Sequence, residues 1–421
     1  MNNSNTHNNS NIHIGILGAG IIGVSCACAL VEKGFNVTLI DPAPPGEGGA
    51  SKGNAAQIIP SVVFPLASPH SLKNSLHLLT APDSPLTIPP AYRLAILPWL
   101  MRFSHAALPH NYKSGTAALT SINEHAHTHF KALLDRANLS SLLDMVGAIQ
   151  LHENRQNLEN AYKTLKSIPV SHTGEIAMLD ETDLKDKEPA LAPIFKGGIF
   201  IPYTGVLCDP LEVVRALANY AQKLGVNFVK KSATDISVTP NTATIHYENT
   251  KSDTFDRAVI AAGVWSKKFL DQLAEPLPLE AERGYNLTLP LPHKAINHAL
   301  VFAEHGIVAT QVTSGLRFGG WDELGGTELP QNPVLFERMQ KLASRLLPDF
   351  NWQAANQWMG MRPSLPNSLP VIGRSKKHIP LYYAFGHGHL GMTQGPITGA
   401  AIAHLIAGEK APFDLAPFRP R

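Results

Sequence analysis

The glycine spacing between Gly18 and Gly23 constrains this chain more than any other stretch. Residues 14–17 are a short apolar run, and Gly18, Gly20 and Gly23 follow it directly in a G-x-G-x-x-G pattern. A helix is expected over residues 24–33, ended by Gly34. Residues 37–40 read as a second apolar strand tipped by Asp41, 23 residues beyond Gly18. In such a unit the first glycine allows a tight turn, and the second lets a pyrophosphate approach the backbone. The third lets the helix pack close to the strand. The turn at Ile21 and Ile22 brings the positive end of the helix dipole to the phosphates. Asp41 is placed to accept hydrogen bonds from the ribose hydroxyls of an adenosine. Strand, triplet, helix, strand and acid in this order predict a bound dinucleotide.

The rest of the composition narrows the partners. A chain of 421 residues has room for two or three domains, and 44% hydrophobic with 16% charged residues describes an ordinary globular protein. The net charge of +2, with no basic tract, argues against nucleic acid. The three cysteines, Cys26, Cys28 and Cys208, make no disulfide framework. Cys26 and Cys28 diverge on the first helix. His125, His127 and His129 fall in a long helix expected over 116–137; only His125 and His129 share a face, which favours a solvated surface over a metal site. Residues 1–11 are rich in Asn and Ser and are expected to be disordered, with no signal-peptide features. No apolar run approaches the roughly 20 residues needed to span a bilayer. The expectation is a cytoplasmic protein, free or peripheral to the inner membrane.

Along the chain, residues 42–53 form a loop whose end brings Ser51, Asn54 and Ala55 to a second close approach to the cofactor. Residues 65–90 are proline-rich and irregular, and 92–108 are helical but interrupted by Pro98. Asp209-Pro210 is an N-cap followed by proline at the first helical position. Residues 257–260 are a buried strand running into Ala261-Ala262-Gly263-Val264-Trp265-Ser266. A glycine-rich turn, residues 386–391, precedes a helix expected to begin near Pro396, and suits negative charge at that helix N-terminus.

Several of these stretches carry a family resemblance. The opening fingerprint, the run from Gly198 to Pro210, the Ala261–Ser266 turn, the segment 358–373 and the Gly386-His387-Gly388-His389-Leu390-Gly391-Met392-Thr393 segment resemble the D-amino-acid dehydrogenase branch of the D-amino-acid-oxidase-type flavoproteins. Glycine, sarcosine and hydroxyproline oxidising enzymes belong to the same group. The resemblance covers about residues 12–410. It implies FAD as cofactor, with Ala261, Gly263, Trp265 and the backbone at Thr234 on the nucleotide side. Gly388, Leu390, Gly391, Met392 and Thr393 would lie against the flavin ring. Tyr285 would reach the substrate carboxylate, Arg362 would sit near the ring or substrate mouth, and His389 would shape the wall. Many relatives carry an arginine where this chain reads Ala309-Thr310-Gln311-Val312-Thr313. Gln311 can donate a hydrogen bond there but supplies no charge; either Arg317 or another cation binds the carboxylate, or the substrate is bound differently.

The implied fold is α/β, a Rossmann-type FAD-binding domain interleaved with an α+β substrate domain built on an antiparallel sheet. The FAD domain is expected from 12–62, 190–270 and 356–421, and the substrate domain from 63–189 and 271–355. The implied reaction is oxidative deamination of a small D-configured or cyclic amino acid by hydride transfer from Cα to flavin N5. The imine then hydrolyses to a 2-oxo acid and ammonia, or remains a cyclic imine where the substrate is proline-like. A glycine- or sarcosine-type amine oxidase on the same scaffold is the nearer alternative, and a non-catalytic redox sensor the remoter one. Reoxidation by O2 and by a respiratory quinone or other carrier are both compatible with the residues.

Overall fold

A computed structural model describes residues 9–73, 85–249 and 251–420. The part of the expected N-terminal disorder that falls on residues 1–8 lies outside these, as do residues 74–84 of the proline-rich stretch. Residues 9–11, by contrast, form one 3-10 turn, tied down by the Asn9 amide side chain donating to the Lys33 carbonyl at 2.9 Å.

The chain opens with strand β1 (His13–Leu17), helix α1 (Ile21–Glu32) and strand β2 (Asn36–Asp41). Next come helices α2 (Leu97–Ala106) and α3 (Pro109–Arg136), strands β3 (Ala148–His152) and β4 (Gly197–Ile201), helix α4 (Pro210–Lys223), and strands β5 (Asn227–Lys230) and β6 (Arg257–Ile260). Strands β7 (Glu280–Leu289), β8 (Ala299–Phe302), β9 (Ile307–Val312) and β10 (Gly315–Leu324) follow, then helix α5 (Pro333–Leu346). Strands β11 (Asn356–Ser364), β12 (Val371–Arg374) and β13 (Leu381–Phe385) lead to the last helix, α6 (Gly391–Ile406).

Two large sheets result. The first has order β5-β2-β1-β6-β13-β12 and is parallel except for β12. Its strands are nearly continuous apolar runs because both faces are covered: α1, α3, α4 and α6 pack on one, and the antiparallel strands between residues 233 and 255 with Phe269 and Leu270 on the other. Helix α1 begins at Ile21, three residues earlier than expected, and is buried on almost every side. On α4 the Asp209 side chain accepts from the Leu211 amide at 2.9 Å with Pro210 at the first position. Val213, Val214, Leu217, Ala218 and Ala221 then form its buried stripe.

The second sheet runs β11-β7-β10-β9-β8-β3-β4, extended by Ala177–Leu179, with Leu86–Thr87 against β10. It is antiparallel apart from the β8–β3 and β10–Leu86 pairings. Helix α5 covers one face with Leu335, Phe336, Met339 and Leu346. Two strands cross the boundaries expected from the sequence, since β4 and β11 both belong to this second sheet. Helix α3 crosses the other way, packing Leu119, Ile122, Phe130 and Leu134 into the first core. The final helix also differs from expectation. It starts at Gly391 and contains Pro396, so the proline lies inside the helix and the glycine turn itself supplies its first turn.

Candidate active site

One cavity of about 1210 Å³ lies between the two sheets. That exceeds the roughly 300–1,000 Å³ of an ordinary small-molecule pocket. At one end it is lined by Gly18, Gly20, Ile21, Ile22, Asp41 and Ser51, with Asn54 and Ala55 further along. At the other it is lined by Gly388, His389, Leu390, Gly391, Met392 and Thr393, and Ala261, Gly263 and Trp265 flank it.

The nucleotide end is shaped by backbone demands. Gly18 has φ of +103°, and a Cβ on Gly23 would lie 1.8 Å from the Gly18 carbonyl oxygen. Gly23 therefore stays out of the cavity lining and acts by letting α1 touch the turn, the task its position in the triplet predicts. The Asp41 carboxylate accepts from the Ala19 amide at 2.8 Å and the Ala43 amide at 2.9 Å, clamping the turn. Burial pushes its carboxyl up, against the pull of these two amides. The Ile21 amide donates to Ser51 Oγ at 3.1 Å, which joins the second loop to the helix start. Thr234 is a correction: its hydroxyl donates to the His246 carbonyl at 3.2 Å and its own carbonyl accepts from Gln272, so it is turned into the neighbouring strands. The cavity wall there is made by Lys231, Ser232 and Ala233 instead.

The far end suits a flavin ring. Gly386 and Gly388 have φ of +84° and +50°, which lets the chain fold over into the N-terminus of α6. His387 is buried with Nε2 on Thr398 Oγ1 at 3.0 Å and no partner for Nδ1, and burial pushes it down to about 3. Gln57 Oε1 is a second buried atom without a partner, on a residue that lines the same cavity. A glycine cradle at each end, a helix N-terminus beside each, and unpartnered polar atoms between them fit a dinucleotide such as FAD.

Sheet two supplies the opposite wall. Along β7, Glu282, Gly284, Tyr285 and Asn286 border the cavity, but the Tyr285 ring packs on Phe336 of α5 and Arg283 bonds the loop ahead of that helix. Glu282 (β7), Asp322 (β10), Arg362 (β11) and His389 (the glycine turn) converge there. Arg362 pairs with Asp322 and, at 3.4 Å, with Glu282. His389 Nε2 contacts Glu282 and lies 3.8 Å from Asp322. Ser364 Oγ donates to Glu282 at 2.7 Å. Gly284 is where the Arg362 guanidinium lies flat, since a Cβ would be 2.3 Å from its Cζ. Burial pushes the Glu282 carboxyl up, but His389, Arg362 and Ser364 outweigh it and hold it down at about 2. For Asp322 burial dominates, and with the Glu282 charge beside it the carboxyl is pushed up to about 6 despite Arg362 and His389. Two neighbouring carboxylates thus divide their affinities for protons.

Three sequence candidates change role. Tyr285 is not free to bind a carboxylate. Its hydroxyl donates to Glu323 at 2.8 Å and accepts from the Asn332 amide at 3.0 Å, and its ring packs edge-on to Phe336. Together with the buried Arg283–Glu323 pair at 3.0 Å it pins the loop ahead of α5. Gln311 also faces away from the cavity. Its side chain accepts from the Ala295 amide at 2.9 Å and donates to the Gly315 carbonyl at 3.2 Å. Its neighbour Thr310 lines the wall and holds Gln57 Nε2 at 2.9 Å. Arg317 reaches the wall, but its guanidinium is committed to the Asn54 carbonyl at 2.6 Å, Asp209 at 3.3 Å and Thr288 Oγ1 at 3.3 Å. It ties the Asn54 loop and the cap of α4 to sheet two. Arg362 and His389 line the cavity, and Glu282 and Asp322 join them as functional candidates that spacing alone missed.

Elsewhere, Cys26 and Cys28 are buried on α1, and burial pushes Cys26 up to about 12. His125 is exposed on α3, and His127 lies edge-on to Tyr203. No helix among the described residues is long and apolar enough to cross a membrane.

Comparison with known proteins follows this geometry. Residues 13–405 match the family model described as DAO, FAD dependent oxidoreductase. A D-amino-acid oxidase of Bradyrhizobium diazoefficiens is 32% identical over 416 residues, spanning 97% of this chain and 98% of that protein. Glycine oxidase from Geobacillus kaustophilus superposes with a TM-score of 0.73 at 20% identity, covering 98% of this chain and 99% of that one. Iminodiacetate oxidase from Chelativorans sp. BNC1 gives 0.74 at 19% identity, covering 97% and 98%. The two interleaved sheets and the cradle between them are therefore a shared architecture, and the chain belongs to the DAO family of FAD-dependent oxidoreductases.

Proposed function

We propose that this enzyme is a dehydrogenase that oxidises a small amino acid, D-configured or cyclic, to its imine; water takes an open-chain imine on to a 2-oxo acid and ammonia, whereas a proline-like substrate gives a cyclic imine. The observation that carries this reading is the quartet of Glu282, Asp322, Arg362 and His389 at the flavin end of the cavity. It offers two carboxylates and two cationic side chains in one wall, the complement of a zwitterion. Arg362 and His389 bind the substrate carboxylate from the cavity side. Asp322, ionised above its value of about 6, takes the proton from the substrate ammonium so that the free amine can drive oxidation. Bound FAD supplies the acceptor for the hydride leaving Cα. Glu282 stays anionic and, against burial, pushes the His389 imidazole up from its ordinary value. The first turn of α6 lines the cavity, and its dipole would favour negative charge on a flavin held there.

The identity to a D-amino-acid oxidase along the full length supports the D configuration. The balanced signs of the quartet support a substrate with one carboxylate over one with two. Anaerobic bleaching of the visible flavin band tests the reading with D- and L-alanine, D- and L-proline, cis-4-hydroxy-D-proline, glycine and sarcosine. Rapid bleaching by D-forms or D-cyclic imino acids supports it, while bleaching confined to glycine and sarcosine replaces it. Mixing the reduced enzyme with O2 or with a soluble quinone then decides the acceptor.

A further inference from the structure

Seven of the fifteen exposed large apolar side chains among the described residues fall between Val62 and Leu108. Four of them lie on and beside α2. Leu97 (49% exposed) and Met101 (74%) are four residues apart on one face of the helix, and Leu94 (83%) and Leu108 (45%) are exposed in the turns just before and after it. The opposite face anchors the helix only lightly, with Ile96 and Trp99 packed on Leu324. Apolar patches of this kind on a globular protein mark an interaction surface.

The charge pattern says what kind of surface. Between Asp83 and Glu124 the sequence contains no Asp or Glu. The same stretch carries Arg93, Arg102 and Lys113, all exposed, and Lys73 is exposed nearby in the chain. Exposed apolar side chains and exposed cations in one stretch of sequence that carries no acid are the pattern of a segment lying in the headgroup layer of an anionic bilayer. The inner side of the same segment, at Trp99, Leu100 and Phe103, lines the cavity with Phe64 and Leu66.

We propose that this face docks on an anionic lipid surface, with Leu94, Leu97, Met101 and Leu108 inserted at the headgroup boundary and Arg93, Arg102 and Lys113 on lipid phosphates. The cavity arm behind α2 then opens toward the bilayer. None of these seven residues lines the cavity, so they can be changed without touching the site.

The test is sedimentation of the purified FAD-loaded enzyme with vesicles of phosphatidylglycerol and phosphatidylethanolamine, or of phosphatidylcholine alone. Binding to the anionic vesicles, weaker by roughly tenfold or more on phosphatidylcholine or in high salt, is expected. Leu94→Ser with Met101→Gln should abolish it. Arg93→Gln with Arg102→Gln should lower it by roughly twentyfold. Both variants should keep their flavin band and its bleaching by substrate. Wild-type protein that ignores anionic vesicles, or binds them equally well in both variants, overturns the proposal. So does a wild-type dimer in analytical ultracentrifugation that Leu94→Ser with Met101→Gln converts to monomer, because a second copy would then cover the patch.

Discussion

Replacing Asp322 by Asn isolates the proton-accepting role in the quartet. The amide keeps the size of the carboxyl, and its oxygen can still accept from Arg362, so the wall should hold its shape. What disappears is the group whose protonation changes between pH 5 and 7. With the wild-type carboxyl raised from 3.8 to about 6, about nine-tenths of the enzyme is ionised there at pH 7. Below pH 6 the ionised fraction falls about tenfold per unit, and the rate of flavin reduction should follow. The variant should lose on the order of 10²-fold or more in kcat/KM at pH 7, the usual worth of a positioned proton acceptor, and its profile should be flat where the wild type bends near pH 6. Stability should move the other way. A carboxyl whose value is raised on folding stabilises the protein while protonated, and that contribution is lost as pH rises from 3.8 through 6. The ionised group thus costs at most about 3 kcal/mol at pH 7. Asp322→Asn should then melt no lower than wild type at pH 7. Anaerobic stopped-flow reduction across pH 5–9, with thermal melts of both proteins, measures both effects. A variant that keeps the bend near pH 6, or stays within threefold of wild type at pH 7, refutes the assignment.

The remaining predictions concern residues whose roles the structure changes or sharpens. Tyr285→Phe leaves the Asn332 amide without its acceptor and should cost about 1–3 kcal/mol in denaturant melts with KM for the substrate unchanged; a large rise in KM would return Tyr285 to the substrate site. Gly23→Ala places a methyl 1.8 Å from the Gly18 carbonyl and should give protein without a flavin band, by absorbance after gel filtration. Asp41→Ala frees the Ala19 and Ala43 amides together and should weaken FAD retention on dialysis, while a fully loaded variant would show that the clamp is dispensable. Arg317→Met leaves Asp209 with the Ser314 hydroxyl and the Leu211 amide. It should release the Asn54 loop and lower the melting temperature more than Tyr285→Phe does.

The nucleotide half of the site was readable because its demands are local. A positive φ at Gly18, a close approach at Gly23 and an acid at a strand tip all lie within one βαβ unit, so spacing alone carries them. The substrate half was not, because sheet two builds it from strands far apart in sequence. Glu282 and Asp322 meet only through the β7–β10 pairing, whose register shifts between Gly284 and Asn286. Which face Tyr285 takes depends on that pairing, and no periodicity in the strand shows it. Gln311 failed in the same way, one residue out of phase with Thr310. The start of α6 was placed late because proline usually opens a helix, whereas Pro396 sits inside this one.

The order of strands in the first sheet has a consequence for synthesis. Strands β1, β2, β5 and β6, together with the turn at Ala261, complete the nucleotide cradle once residue 263 has left the ribosome. The neighbour of β6 is β13, at residues 381–385, and the glycine turn follows it. For the synthesis of more than a hundred residues, β6 therefore presents an open edge with Val259 and Ile260 on it. In that interval the adenosine half of the cofactor has a place to bind and the flavin half has none.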